Sequence, residues 1–173
     1  MKSENAYHVY LVDDDTMFLN TLEHTLKQPS ENKFDLQSFI SGEECLAKVQ
    51  VSPPDIVVLD YNLDSNSGNA MNGIKVLNKI KAMNRNIQVI MLSSQEKLEV
   101  AVNCIKSGAY DYVIKNESAS VRLRHGIDLI AFNIDLKKKM KNYLAWNIIL
   151  ASTFLLFLLS MIAYAYMHTT ANS

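Results

Sequence analysis

Tyr7-His8-Val9-Tyr10-Leu11-Val12-Asp13-Asp14-Asp15 is the stretch that decides the fold: a mostly apolar run that ends abruptly in three carboxylates. The same punctuation recurs along the chain. Ile56–Leu59 is closed by Asp60, Ile87–Leu92 by Ser93 and Ser94, and Tyr110–Ile114 by Lys115, while Phe34–Phe39 supplies a fifth strand-like run. The third and fourth runs are nearly continuous aliphatic stretches, as strands buried on both faces require. In an open parallel sheet the carboxyl ends of the strands border one crevice. Carboxylates, a hydroxyl and an ammonium far apart in sequence are therefore expected to become neighbours.

Helical patterns fill the gaps. Phe18, Leu19, Leu22 and Leu26 share a face before Pro29, and Asp15 is placed to cap that helix. Ser41 opens the second helix, with Glu43 and Glu44 in its positive first turn and Leu46 and Val49 facing inward. The third carries Ile74, Leu77 and Ile80. The fourth carries Leu98, Ala101, Val102 and Ile105 on its apolar face and is closed by Gly108. Alternating strands and helices predict an α/β fold, a doubly wound five-stranded parallel sheet, over roughly the first 116 residues. Ser65–Gly73, polar and rich in Asn and Gly, reads as a loop beside Asp60.

The last helix is expected to continue past the domain. From Glu117 to Lys141 there is no proline, and only Gly126 interrupts, at roughly 1 kcal/mol. Val121, Leu123, Ile127, Ile130, Ile134 and Leu136 supply its apolar positions, followed by Lys137-Lys138-Lys139-Met140-Lys141. Tyr143 to Met167 then contains no Asp, Glu, Lys or Arg. A span needs about 20 such residues, and Tyr143, Trp146, Tyr164 and Tyr166 stand at its borders as interfacial aromatics do. The lysines on its N-terminal flank place the N-terminal domain in the cytosol and Ser173 outside, so a single-pass protein of the inner membrane is expected in a bacterium. Scattered small residues such as Ala151, Ser152, Ser160 and Ala163, without GxxxG, support helix self-association only weakly.

Bulk properties agree. The 173 residues carry a net charge of -1, so nothing global favours nucleic acid as a partner. Cys45 and Cys104 lack CxxC spacing and read as reduced, buried thiols. Met1–Asn5 lacks the apolar core of a secretory signal.

Taken together, the acidic pair, Asp60, Ser93, Tyr112 and Lys115 in this order resemble the receiver domain of two-component response regulators, over residues 7 to about 130. The resemblance implies a flavodoxin-like strand order 2-1-3-4-5. It makes Asp60 the phosphoacceptor, Ser93 the switch hydroxyl, Tyr112 the switch aromatic and Lys115 the partner of the phosphoryl group. It also implies Mg²⁺, held directly by Asp14, Asp60 and the backbone carbonyl of Asn62, with Asp13 acting through water. Asp64 reads as a solvated loop acid, Tyr110 as packing, His8 and His24 as strand and surface histidines, and Ser94 as the small residue that admits the phosphoryl group. Two departures stand out: Asn116 replaces the family's proline after the lysine, and the loop after Asp60 is longer and lacks the Met-Pro pair.

The expected organisation is a receiver domain over 1–130, a basic juxtamembrane segment over 131–142, a transmembrane helix over 143–167 and a short outer tail over 168–173. The function this implies is a membrane-anchored, single-domain response regulator, a signalling domain rather than an enzyme. Phosphate would arrive from a histidine kinase or histidine phosphotransfer protein, and a membrane-proximal effector would read the result. A tethered binding module that no longer signals by phosphorylation and a phosphate sink in a relay are the competing readings. No DNA-binding or enzymatic output domain is expected in the residues after the receiver.

Overall fold

The computed structural model describes residues 6–27, 33–63 and 72–171, with side chains as far as Met161. Along the chain run β1 (Tyr7–Val12), α1 (Thr16–Leu26), β2 (Phe34–Phe39), α2 (Gly42–Val51) and β3 (Ile56–Asp60). They are followed by α3 (Gly73–Met83), β4 (Gln88–Ser93), α4 (Leu98–Lys106), β5 (Asp111–Ile114) and α5 (Ala119–Ala171). The strands form one parallel sheet in the order β2-β1-β3-β4-β5. The winding direction reverses between β1 and β3, which opens the crevice at their carboxyl ends. β3 is buried along its whole length and β4 at all but its first residue, as their aliphatic composition demands.

The helix starts follow the capping chemistry. Asp15 accepts from the amides of Met17 and Phe18, and Ser41 accepts from Glu44. Asn72 accepts from Lys75, so Gly73 opens α3 rather than closing the loop assigned to it from sequence. Residues 64–71 of that loop, with Asp64, lie outside the described residues, as does Pro29. Gly108 takes a positive φ of 96° just past Ser107, where a side chain would be strained.

α1 buries the expected face except at Phe18, whereas the buried face of α4 shares only Ala101 with the one expected. In α1, Leu19, Leu22 and Leu26 enter the core while Phe18 remains half-buried at the crevice. In α4, Cys104 is the buried residue and Val100 and Ala101 pack against the core. Leu98 and Ile105, by contrast, are 77% and 47% exposed. Small side chains line the contact face of α4, and its larger aliphatics are left outside.

The chain divides into two compact units, Met1–Ala131 and Phe132–Ser173. In the first, α5 buries Leu123, Ile127, Ile130 and Ala131, leaves Val121 exposed, and continues through Gly126 without a break. The second is helical as far as Ala171 and, up to Met161, leaves large apolar side chains open, among them Leu144, Trp146, Ile148, Leu155 and Phe157. The most apolar 18-residue stretch of α5 has a mean hydropathy of 2.0 and no buried residue, so this helix is long and apolar enough to cross a membrane.

Two glycines give opposite expectations. A Cβ at Gly73 would lie 2.1 Å from the Asp60 carbonyl oxygen, whereas one at Gly126 would lie 3.2 Å from the Cδ1 methyl of Ile90. Gly73→Ala should therefore lower stability by ~1–3 kcal/mol in denaturant titrations. Gly126→Ala should be neutral or raise stability by up to ~1 kcal/mol.

Candidate functional site

Three strand ends build the site. Asp13 and Asp14 follow β1, Asp60 ends β3 and Lys115 follows β5. Backbone bonds fix the approach: the amide of Asp13 donates to Phe39, that of Tyr61 to Leu92 and that of Lys115 to Ser93. Carboxylate oxygens of Asp13, Asp14 and Asp60 lie within 4.8 Å of one another, with Asp13 and Asp60 buried and Asp14 exposed.

Lys115 reaches in from the opposite wall. Its Nζ stands 2.7 Å from Asp13 Oδ2 and 3.1 Å from Asp60 Oδ1, and 4.9 Å above the centre of the Phe18 ring. Those two oxygens are fully buried, and one ammonium shared between them leaves each with acceptor capacity to spare. One cation thus faces three carboxylates. Burial pushes Asp13 and Asp60 above the ordinary aspartate range, against the pull of Lys115, and the Asp13 charge raises Asp60 further. Burial also works against the Lys115 ammonium, but Asp13 and Asp60 outweigh it and hold Lys115 above the usual lysine range.

The other residues expected at the site gather along its rim. Ser93, fully buried at the end of β4, accepts from the amide of Gln95 at 3.0 Å. Tyr112 is buried in β5 and its hydroxyl donates to the Gln95 carbonyl at 2.7 Å. Asn62 follows β3 and its side-chain amide spans 3.4 Å to Ser94 Oγ and to Gln95 Nε2. The structure thus brings Asp13, Asp14, Asp60 and Lys115 together directly, with Ser93, Tyr112 and Asn62 joined through the turn after β4.

Asn116 has its own structural role. Its side-chain oxygen accepts from the amide and hydroxyl of Ser118, and its carbonyl from Ala119, so it shapes the turn into α5. The peptide bond after Lys115 is trans. Sequence reasoning missed Phe18 and Gln95: the first reads as an ordinary core residue and the second as a surface polar one. Their only sequence signal is position, five residues after Asp13 and two after Ser93. Tyr110 is half-buried, His8 pairs with Asp35 at the sheet edge, and the two cysteines are free and buried, with burial raising the Cys45 thiol to about 12.

This fold and acidic crevice define a phosphoacceptor signalling module. The chain belongs to the response regulator receiver domain family, whose model matches residues 9–128. It is 31% identical over 107 residues to the transcriptional regulatory protein PrrA of Mycobacterium leprae, covering 62% of this chain and 42% of PrrA. It is also 31% identical over 138 residues to the putative response regulator NtrX-like of Rickettsia typhi, covering 76% of this chain and 28% of that protein. The chain thus spans less than half the length of these relatives. Among solved structures, the CheY-like receiver domain protein of Methanospirillum hungatei superposes with a TM-score of 0.66 at 21% identity, over 76% of this chain and 98% of that one. The strand order and flavodoxin-like fold expected from sequence are those observed.

The unbalanced charge sets a stability prediction. An acid whose folded pKa is raised binds its proton better folded than unfolded. Its contribution is therefore best below about 3.8, the unperturbed value, and is lost as pH climbs through the raised value. Metal-free Asp60→Asn should exceed the parent at neutral pH by ~1 kcal/mol, about 2–8 °C in Tm, and the gap should close as pH falls. Lys115→Ala should do the reverse, losing ~3 kcal/mol by leaving buried carboxylates unpaired, with divalent cation restoring much of the loss. Thermal melts across pH, with and without Mg²⁺, read both.

Proposed function

We propose that this chain is a membrane-anchored response regulator in which Asp60 accepts a phosphoryl group from a histidine kinase or histidine phosphotransfer protein. The observation that supports it best is the pair of buried carboxylate oxygens, on Asp13 and Asp60, that Lys115 faces without saturating. Hard oxygen donors with open lone pairs suit Mg²⁺. Asp14, Asp60 and the Asn62 backbone carbonyl would hold it, with Asp13 acting through water. When bound, it supplies positive charge that offsets repulsion between a carboxylate and a phosphoryl group.

The remaining steps belong to the protein. The Asp60 carboxylate attacks phosphorus, an O–P bond forms as the donor's N–P bond breaks, and the freed imidazole takes a proton. Lys115 neutralises the phosphoryl oxygens that arrive beside it. Ser93 exchanges its bond from the Gln95 amide for donation to a phosphoryl oxygen. Because Gln95 also holds the Tyr112 hydroxyl, this exchange reaches the face made by α4, β5 and α5, which an effector reads. The apolar part of α5 anchors the chain, with the receiver cytosolic and Ser173 across the bilayer. Lys137–Lys139 and Lys141 on its near flank favour that orientation.

Intact-mass spectrometry of the full chain with a small acyl-phosphate donor tests the acceptor. A Mg²⁺-dependent phosphate adduct that maps to Asp60 and disappears in Asp60→Asn is expected. Phosphate uptake by Asp60→Asn would refute the assignment; no uptake by a Mg²⁺-binding parent would point to a specialised donor, and neither uptake nor Mg²⁺ binding would favour a non-signalling binding module. The anchor predicts that the full chain stays with membranes through an alkaline carbonate wash, whereas a chain ended after Lys141 is released.

A further inference from the structure

Acidic groups predominate at the crevice end of the sheet. Asp13, Asp14 and Asp60 share the crevice end with Glu43, Glu44 and Glu99 in the first turns of α2 and α4. At the other end, the last turns of α2, α3 and α4 hold Lys48, Lys81 and Lys106. Helix dipoles account for these lysines in part. They do not account for Arg85, which is exposed in the turn between α3 and β4.

Lys81, Arg85 and Lys106 line an open groove of about 570 Å³ that also borders Gly108 and has no carboxylate in its walls. Lys81 is committed inward, donating to the Ile87 carbonyl at 2.6 Å. Arg85 and Lys106 make no ion pair among the described residues. Acids near this end have other partners: Asp35 pairs with His8, Asp55 accepts from the amide of His8, Asp111 accepts from that of Tyr112, and Asp128 pairs with Lys33 and Arg124.

The chain also leaves the receiver unit at this end. Tyr7, the first residue of β1, donates its hydroxyl to the carbonyl of Ala131, the last residue of that unit. Lys137–Lys139, Lys141 and the uncharged stretch from Tyr143 follow in sequence.

We propose that the Lys81–Arg85–Lys106 groove docks anionic lipid headgroups, so that the receiver rests its basic end on a negatively charged membrane with the Asp60 end of the sheet facing away. The inference rests on the membrane-anchored reading above. Arg85 offers a planar fork suited to a phosphate, and Lys106 a second point charge beside it. Cations at an anionic surface each contribute roughly five-fold in binding. Tethering supplies the local concentration that lets so small a contact hold.

Lys97 and Lys106 lie at opposite ends of α4 and are both exposed, which provides an internal control. The full chain is placed in nanodiscs of phosphatidylcholine alone or with phosphatidylglycerol, and amine labelling of the two lysines is followed by mass spectrometry. Phosphatidylglycerol should slow labelling of Lys106 relative to Lys97 by about five-fold. Raised salt should abolish the effect, as should Arg85→Glu in a chain that still inserts and melts normally. Equal labelling ratios in the two lipids, with the chain inserted, would overturn the docking while leaving the anchor intact. The same protection by inorganic phosphate in pure phosphatidylcholine discs would make the groove a small-anion site and overturn the lipid assignment. Failure of the chain to enter the discs, read from co-elution, would overturn the anchor and with it the docking.

Discussion

One lysine held between two buried carboxylates is the constraint on which the site depends. Lys115 sits 2.7 Å from Asp13 and 3.1 Å from Asp60, at the ends of strands that are not neighbours in sequence. The strand order makes that meeting possible, since β3 lies between β1 and β4 and β5 closes the far edge. The arrangement is unbalanced, because a single ammonium cannot neutralise Asp13, Asp14 and Asp60 together. Folding tolerates the strain because β1, β3 and β4 beneath the site are largely buried apolar strands. The excess negative charge is what a divalent cation and an incoming phosphoryl group would use.

Around this centre, small contacts set the geometry. The centre of the Phe18 ring lies 4.9 Å from the Lys115 ammonium. Gln95 gathers Ser93, Tyr112 and Asn62 through its backbone and side chain. Gly73 lets the start of α3 pass over the Asp60 carbonyl at a distance no other residue could occupy. Asn116, in place of a proline, fixes the turn into α5 with its own side chain. A departure in residue type therefore still leaves an ordered turn beside Lys115.

The sheet and its charged ends were legible because both rest on strong local signals. Apolar runs at Tyr7–Val12 and Ile56–Leu59 are buried strands, and a carboxylate directly after each marks a strand end. Helix starts at Asp15 and Ser41 were readable for the same reason, since a capping oxygen acts within its own turn. The α4 face was readable only at Ala101. Periodicity selects the largest aliphatics, whereas contact with the sheet selects Cys104, Val100 and Ala101. Phe18, Gln95 and Gly73 escaped because their roles exist only once distant strand ends meet. The long uncharged run after Tyr143 was conspicuous in sequence, and the structure gives it a helix with apolar side chains left open as far as Met161.

The direct test of the central claim is a carbon-13 NMR titration of the aspartate carboxyls in the metal-free chain, repeated with saturating Mg²⁺. If Asp13 and Asp60 form the undercompensated pair, both titrate above the ordinary aspartate range without metal. Both then lose that titration when Mg²⁺ is present. Ordinary titration of Asp60 in the free chain, or no response of either carboxyl to Mg²⁺, would contradict the account.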